Sequence, residues 1–306
     1  MRRRRGKPKI RFRGQSESFV LDQFSQANLQ KWNKYSGALD EYHVRLFYHL
    51  EGLRESHKDS LVEALRDSSS ASKFKDTWCR LVSFRYSDDF LSSRGSLING
   101  GRFNIGSDLD SRNFPGFPAL YLAEDQNTAY AEFFNAPESD SPGQISGHEF
   151  ALQSKSSFSL VRLSFEIENV FDLTKAKNLR AFSEIIAKFK MTPELKGLGC
   201  AIGLSSSSQL IRNPALLKND LTSSAWRNYP VQYEIPANSQ VFGRLLRDAG
   251  YEAVIYPSSK GGSNCIAVFT ENLEGSDSFI ELADEAPAGT KHTRLDSRNW
   301  KELSSI

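Results

Sequence analysis

Residues 99–134 read NGGRFNIGSDLDSRNFPGFPALYLAEDQNTAYAEFF. The glycine pair Gly100-Gly101 permits a turn with positive φ and lets backbone come close to a neighbour. Amides in such a turn can face an anion, and Arg102 adds a charge there. An ordinary Gly-Gly turn followed by a surface arginine fits the pattern equally well. Ala119–Ala123 is a short apolar strand. A helical pattern continues through Thr128, Ala131 and Phe134, with Glu132 set between Ala131 and Phe133. A carboxylate among apolar walls interacts strongly with a developing positive charge, such as an oxocarbenium-like sugar cation. A solvent-facing helix acid is the plainer alternative. Only one acid is offered, not the pair that ordinary glycosidases use.

Outward from this stretch, short strands alternate with a few helices. Residues 158–167 read FSLVRLSFEI. Val161, Leu163, Phe165 and Ile167 share one face, which predicts a strand, and VFDL at 170–173 continues it. Trp78 to Phe84, Val254 to Tyr256 and Cys265 to Phe269 read as further strands. Helices are predicted over Leu179–Phe189 and over Gln240–Asp248, the latter stopped by Gly250. Residues 190–230 look irregular, with a loop at Ser205–Ser208. Neither the regular βαβ alternation of a doubly wound fold nor a G-x-G-x-x-G is present. The expected class is α+β, with a small, twisted, partly antiparallel mixed sheet.

Before this domain, Leu39, Tyr42, Leu46, Leu50 and Leu53 form one helical stripe, and a second helix is expected over Leu61–Arg66. A serine-rich run at 68–72 separates these helices from the main domain. The chain thus divides into a basic arm at 1–20, a helical region at 21–72, a main domain at 73–275 and a peripheral tail at 276–306. The apolar stripe needs a cover, and self-association into a homo-oligomer is the expected one.

The chain has 306 residues, 39% of them hydrophobic and 21 of them phenylalanine, enough for one good core. Net charge is +2, but unevenly spread. Residues 1–13 hold eight basic side chains, which leaves the remainder at −6. The arm can attract nucleic acid or an acidic partner weakly, whereas the acidic body argues against a nucleic-acid-binding core. No run of 18 apolar residues suggests a membrane span and no signal peptide is visible. Cys79, Cys200 and Cys265 match no zinc spacing, and the five histidines form no ligand cluster. A cytoplasmic setting and a metal-free site are expected.

Two further side chains stand out. Arg80 lies inside a strand pattern, either pointing to solvent at an edge or holding a phosphate at a cleft mouth. Ser258 sits where a strand ends, ahead of the loop Ser259-Lys260-Gly261-Gly262-Ser263. It lacks a G-x-S-x-G elbow, so it reads as a hydrogen-bond donor to a ligand or as a turn-capping serine.

Together these segments resemble the RES domain family, named for Arg, Glu and Ser, whose members are toxins of bacterial toxin–antitoxin pairs. The likeness runs through WCRL at 78–81, GGRFN at 100–104, ALYLA at 119–123, TAYAE at 128–132, VFDL at 170–173, AGYEAVIYPSSK at 249–260 and NCIAVF at 264–269. The resemblance implies a fold similar to the ADP-ribosyltransferases and an activity on NAD+: phosphorolysis, hydrolysis or transfer of ADP-ribose to a protein. It implies Arg80, Glu132 and Ser258 as catalytic residues. It adds Gly100, Gly101, Arg102 and Tyr121 to the NAD+ contacts, Tyr121 as a ring able to stack on nicotinamide. Inorganic phosphate is implied as a co-substrate and a helix-turn-helix antitoxin as a partner. Two departures are expected to alter substrate access or partner choice: a longer insert at Gly106–Pro118 and the helical extension before residue 70. A pocket without catalysis is the third possibility.

Overall fold

A computed structural model describes residues 26–67, 72–134, 157–204 and 210–305. The basic arm, the run at 68–71 and the Ser205–Ser208 loop lie outside the described residues. The core is a seven-stranded sheet in the order β1-β2-β5-β4-β3-β6-β7. Its strands are β1 Ser72–Ser83, β2 Leu120–Ala123, β3 Phe158–Asp172, β4 Ala253–Pro257, β5 Asn264–Val268, β6 Phe279–Leu282 and β7 Arg294–Asp296. The β3–β4 pair is parallel and the others are antiparallel. Strand β1 also pairs with β3, from Ser83↔Phe158 to Ser72↔Val170, so β1, β2, β5, β4 and β3 close on themselves.

The alternation along β3 is real. Val161, Leu163, Phe165 and Ile167 are buried, while Arg162 between them is exposed. Burying each of these apolar side chains contributes about 1.5–3 kcal/mol. The opposite side of the sheet carries a larger core built from Phe103, Phe117, Phe171, Phe242, Val254 and Phe269, among others.

The N-terminal helices are longer than the stripe suggested. Helix α1 spans Gln26–Ser56 and α2 spans Lys58–Arg66. Tyr42, with Leu39 and Leu46, packs against Met191, Leu195 and Ile202 of the same chain. Part of the cover for the stripe is therefore internal: Tyr42 is buried, while Leu39, Leu46, Leu50 and Leu53 are half-buried. The other departure joins it: in the 106–118 insert Leu109, Phe114 and Phe117 enter the core, and the Phe114 ring meets Phe47 of α1 at 5.6 Å.

Two regions differ from expectation. Residues 190–230 hold helices rather than irregular chain. In order, the helices after α2 among the described residues are α3 Arg94–Asn99, α4 Gln126–Phe133, α5 Arg180–Ile186, α6 Pro193–Ala201, α7 Pro214–Leu221, α8 Asn228–Tyr233, α9 Asn238–Asp248 and α10 Trp300–Ser304. Thr192 and Asn213 cap α6 and α7, each followed by a proline at the first helical position, where a missing N–H costs nothing. The described part of the expected tail, 276–305, is not peripheral. Strand β6 pairs with β3, β7 pairs with β6, and Ile280, Leu295 and Leu303 are fully or almost fully buried. Its apolar residues are few, but β-pairing turns Ile280 and Leu295 inward.

Candidate active site

The cleft opens between β1, β2, α4 and the β4–β5 loop, with a volume of about 490 Å³, in the range of small-molecule sites. Every side chain that the sequence singled out reaches it or its immediate frame.

Arg80 enters from β1. Its Nη2 donates to the carbonyl of Ser92 at 2.9 Å, while Nε and Nη1 are buried without a hydrogen-bond partner among the described residues. Burial pulls this guanidinium down to about 10, against the opposing pull of Asp89. A buried charge without an anion in contact is costly to a fold, and Arg80 has Asp89 nearby but outside ion-pair distance. The carbonyl that holds it is itself braced from the far end of the chain. Ser92 Oγ and the Ser93 amide donate to the Leu303 carbonyl at 3.1 and 3.0 Å. Ser93, Thr270 and Ser304 join their hydroxyls in a buried cluster.

The glycine pair makes a turn, with Gly100 at φ 64° and the Gly101 amide donating to the Asn104 carbonyl at 3.0 Å. A Cβ on Gly101 would lie 2.3 Å from the Tyr121 hydroxyl oxygen. The missing side chain thus makes room for the protein's own tyrosine. The Tyr121 hydroxyl donates to Asn104 Oδ1 at 2.8 Å and accepts from the Phe103 amide at 3.0 Å, and burial raises its pKa. Gln240 of α9 donates to the carbonyls of Gly101 and Asn104. No motif marked Gln240 in the sequence.

Arg102 is 5% exposed. Its Nη1 donates to the Ser223 carbonyl and its Nη2 to Ser259 Oγ at 2.6 Å. Both ends of its fork are therefore taken by protein groups from two separate loops. The residues around Ser223 continue as a short 3-10 turn, Ser224–Arg227, and Trp226 and Arg227 line the cleft.

Glu132 comes from the last turn of α4, whose N-terminus is capped by Asp125 accepting from the Thr128 amide at 2.8 Å. Ser258 Oγ donates to Glu132 Oε1 at 2.6 Å and accepts from the amides of Lys260 and Gly261 at 3.0 and 2.8 Å. The hydroxyl proton is thereby directed at the carboxylate, and the backbone fixes the oxygen that carries it. Gly261 permits this approach, because a Cβ there would sit 2.6 Å from the Thr128 hydroxyl. Cys265 lines the same cleft, but burial pushes its thiol well up, as it does for Cys79. Neither is a ready thiolate.

The charge layout is mostly of one sign: Arg80, Arg102, Arg227 and Lys260 line the cleft together with the carboxylate of Glu132. Among the described residues no group of three or more His, Cys, Asp or Glu is placed to hold a metal ion, and no helix is long and apolar enough to cross a membrane.

Residues 77–288 match the family model of the RES domain, well over half of the chain. The chain belongs to the RES domain family. The RES domain match begins inside β1 and ends before β7, so α1, α2 and the Leu303 brace lie outside it. The crystal structure of the M. tuberculosis MbcT–MbcA toxin–antitoxin complex contains a chain to which this one is similar. The likeness covers 81% of this chain and 98% of that one, at 16% identity and a TM-score of 0.38. No curated protein matches.

Proposed function

We propose that this RES protein is a toxin-like enzyme that cleaves the nicotinamide–ribose bond of NAD+, by phosphorolysis or hydrolysis. The observation that carries the proposal is the pairing of Ser258 with Glu132 on one wall of a cleft whose other charged side chains are all cations. A dinucleotide suits that layout, with a diphosphate for the cations and a ribose for the acid. The diphosphate would give Arg80 an anion in contact, through a turn of the guanidinium toward the cleft.

The chemistry asks little of an acid catalyst. The bond from ribose C1′ to nicotinamide breaks with its electron pair going to the ring nitrogen. The cationic ring thus leaves as neutral nicotinamide. Positive charge then grows on the ribose, where the Glu132 carboxylate stabilises it or orients it through the ribose hydroxyls. Ser258 holds Oε1 by its hydrogen bond and leaves Oε2 for substrate. An oxygen of inorganic phosphate or of water completes the new bond at C1′. Tyr121, with its hydroxyl occupied by Asn104 and Phe103, offers only its ring to the nicotinamide. Family resemblance supports an antitoxin with a helix-turn-helix part as the neutralising partner.

Incubating the pure protein with NAD+, with and without phosphate, tests the reading. Release of nicotinamide with ADP-ribose 1″-phosphate identifies phosphorolysis, and free ADP-ribose identifies hydrolysis. Labelled protein without a small-molecule product supports ADP-ribosyl transfer instead. Unchanged NAD+ under all conditions leaves a binding module and overturns the proposal.

A further inference from the structure

The Ser224–Arg227 turn belongs to none of the motifs that mark the family, yet it forms one wall of the cleft. The turn is fixed from both sides. Behind it, the buried fork of Arg102 binds the Ser223 carbonyl and, with its other arm, Ser259 beside Ser258. At its front, the Arg227 guanidinium lies 4.5 Å from the centroid of the buried Trp226 ring. A guanidinium stacked on indole keeps its charge and its planar fork while losing much of its freedom. Arg227 is exposed and lines the cleft, and it takes part in none of the ion pairs among the described residues. Arg102, by contrast, has both Nη groups committed to the protein.

We infer that Arg227, flattened against Trp226, is the diphosphate-binding arginine of this cleft, and that Arg102 is the strut that holds its turn in place. The ligand class is a nucleoside diphosphate, free or as part of a dinucleotide. The inference rests on the proposed dinucleotide site, but it concerns binding and is read by binding. Two phosphates between Arg80 at the floor and Arg227 at the rim would be gripped from opposite sides. A planar fork can take two phosphate oxygens at once. A ligand without phosphate gains nothing from it.

Titration calorimetry with ADP and with adenosine, at fixed ionic strength, tests this on the full chain. Replacing Arg227 by Gln is expected to weaken ADP binding at least tenfold and to leave adenosine within twofold. Trp226→Phe keeps a ring under the arginine and is expected to retain most ADP affinity, whereas Trp226→Ala loses it toward the Arg227→Gln level. Arg227→Gln lies on the exposed rim, so its melting temperature is expected to match the wild type. ADP affinity equal in wild type and Arg227→Gln overturns the inference alone. A wild type that binds ADP but leaves NAD+ intact overturns the proposed reaction and leaves the arginine's role standing. A wild type that binds no ADP overturns the inference, while the proposed reaction stands or falls by the NAD+ incubation.

Discussion

The hydrogen bond between Ser258 and Glu132 gives the sharpest expectations at the scale of single residues. Glu132→Gln keeps the shape and the hydrogen-bonding reach but removes the charge. Turnover of NAD+ is expected to fall on the order of 100-fold or more, with an unchanged melting curve. Ser258→Ala leaves Glu132 charged but unheld and strips the Lys260 and Gly261 amides of their acceptor. A loss of about tenfold in kcat with little change in KM is expected, because the hydroxyl acts through the carboxylate. Arg80 should behave in the opposite sense for stability. Its guanidinium is buried with two unpartnered nitrogens, so Arg80→Met removes a burden from the ligand-free fold. Melting without ligand is expected to be unchanged or raised, by up to about 3 kcal/mol. The stabilisation that the wild type gains from added ADP or NAD+ should vanish in the same variant. A variant that melts lower than wild type and still gains from ligand would refute the role. Arg80, Glu132 and Ser258 can be singled out as candidates because each sits in a short run that can be recognised in sequence. That Arg102 grips Ser223, 121 residues away, was not legible there, because no local pattern records a partner so distant. Trp226 and Arg227 were missed for the same reason.

Among elements, α1 is joined to the domain by charge as well as by its apolar stripe. Glu51 bridges Arg54 on its own helix and Arg244 on α9. Burial pushes the Glu51 carboxyl up, but the two guanidinium charges and their hydrogen bonds outweigh it, and its pKa ends below the ordinary 4.5. A carboxylate held low in the folded state favours folding above the unfolded value. That contribution is present at neutral pH and fades as pH drops through 4.5 and below. The docking of α1 is therefore expected to weaken in acid. Glu51→Gln should cost about 1–3 kcal/mol at pH 7 and flatten this acid sensitivity, as thermal melts from pH 7 to pH 3.5 would show. Equal pH dependence in wild type and Glu51→Gln would exclude Glu51 as the source. The sequence showed the stripe on α1 because its period is local. It did not show the cover, because the covering helix α6 was itself unread. The signal for α6 and α7 was present in Thr192-Pro193 and Asn213-Pro214, a capping side chain before a proline. Their weak amphipathic pattern hid them.

For the whole molecule, the α+β class and most strands were readable from alternation and apolar runs, whereas the way the sheet is finished was not. Strands β6 and β7 are short, and their few apolar residues looked like a tail until pairing with β3 turned Ile280 and Leu295 inward. The consequence reaches the cleft, since Leu303 braces the Ser92 and Ser93 backbone that holds Arg80. A protein ending at residue 288, the edge of the family match, is expected to lose ADP affinity and NAD+ turnover at least tenfold while the Glu132–Ser258 wall stays intact. Full activity in that shortened protein would show that Arg80 needs no brace.

The brace also sets an order of assembly during translation. Ser92 leaves the ribosome 211 residues ahead of the Leu303 carbonyl that secures it. Every unfinished copy therefore carries its arginine before the clamp for it exists. A growing chain stalled ahead of α10 is expected to bind no ADP, which pull-down of ribosome-bound chains on immobilised ADP would reveal. Capacity to bind the nucleotide would then appear only once α10 has emerged and its Leu303 carbonyl has met Ser92 and Ser93.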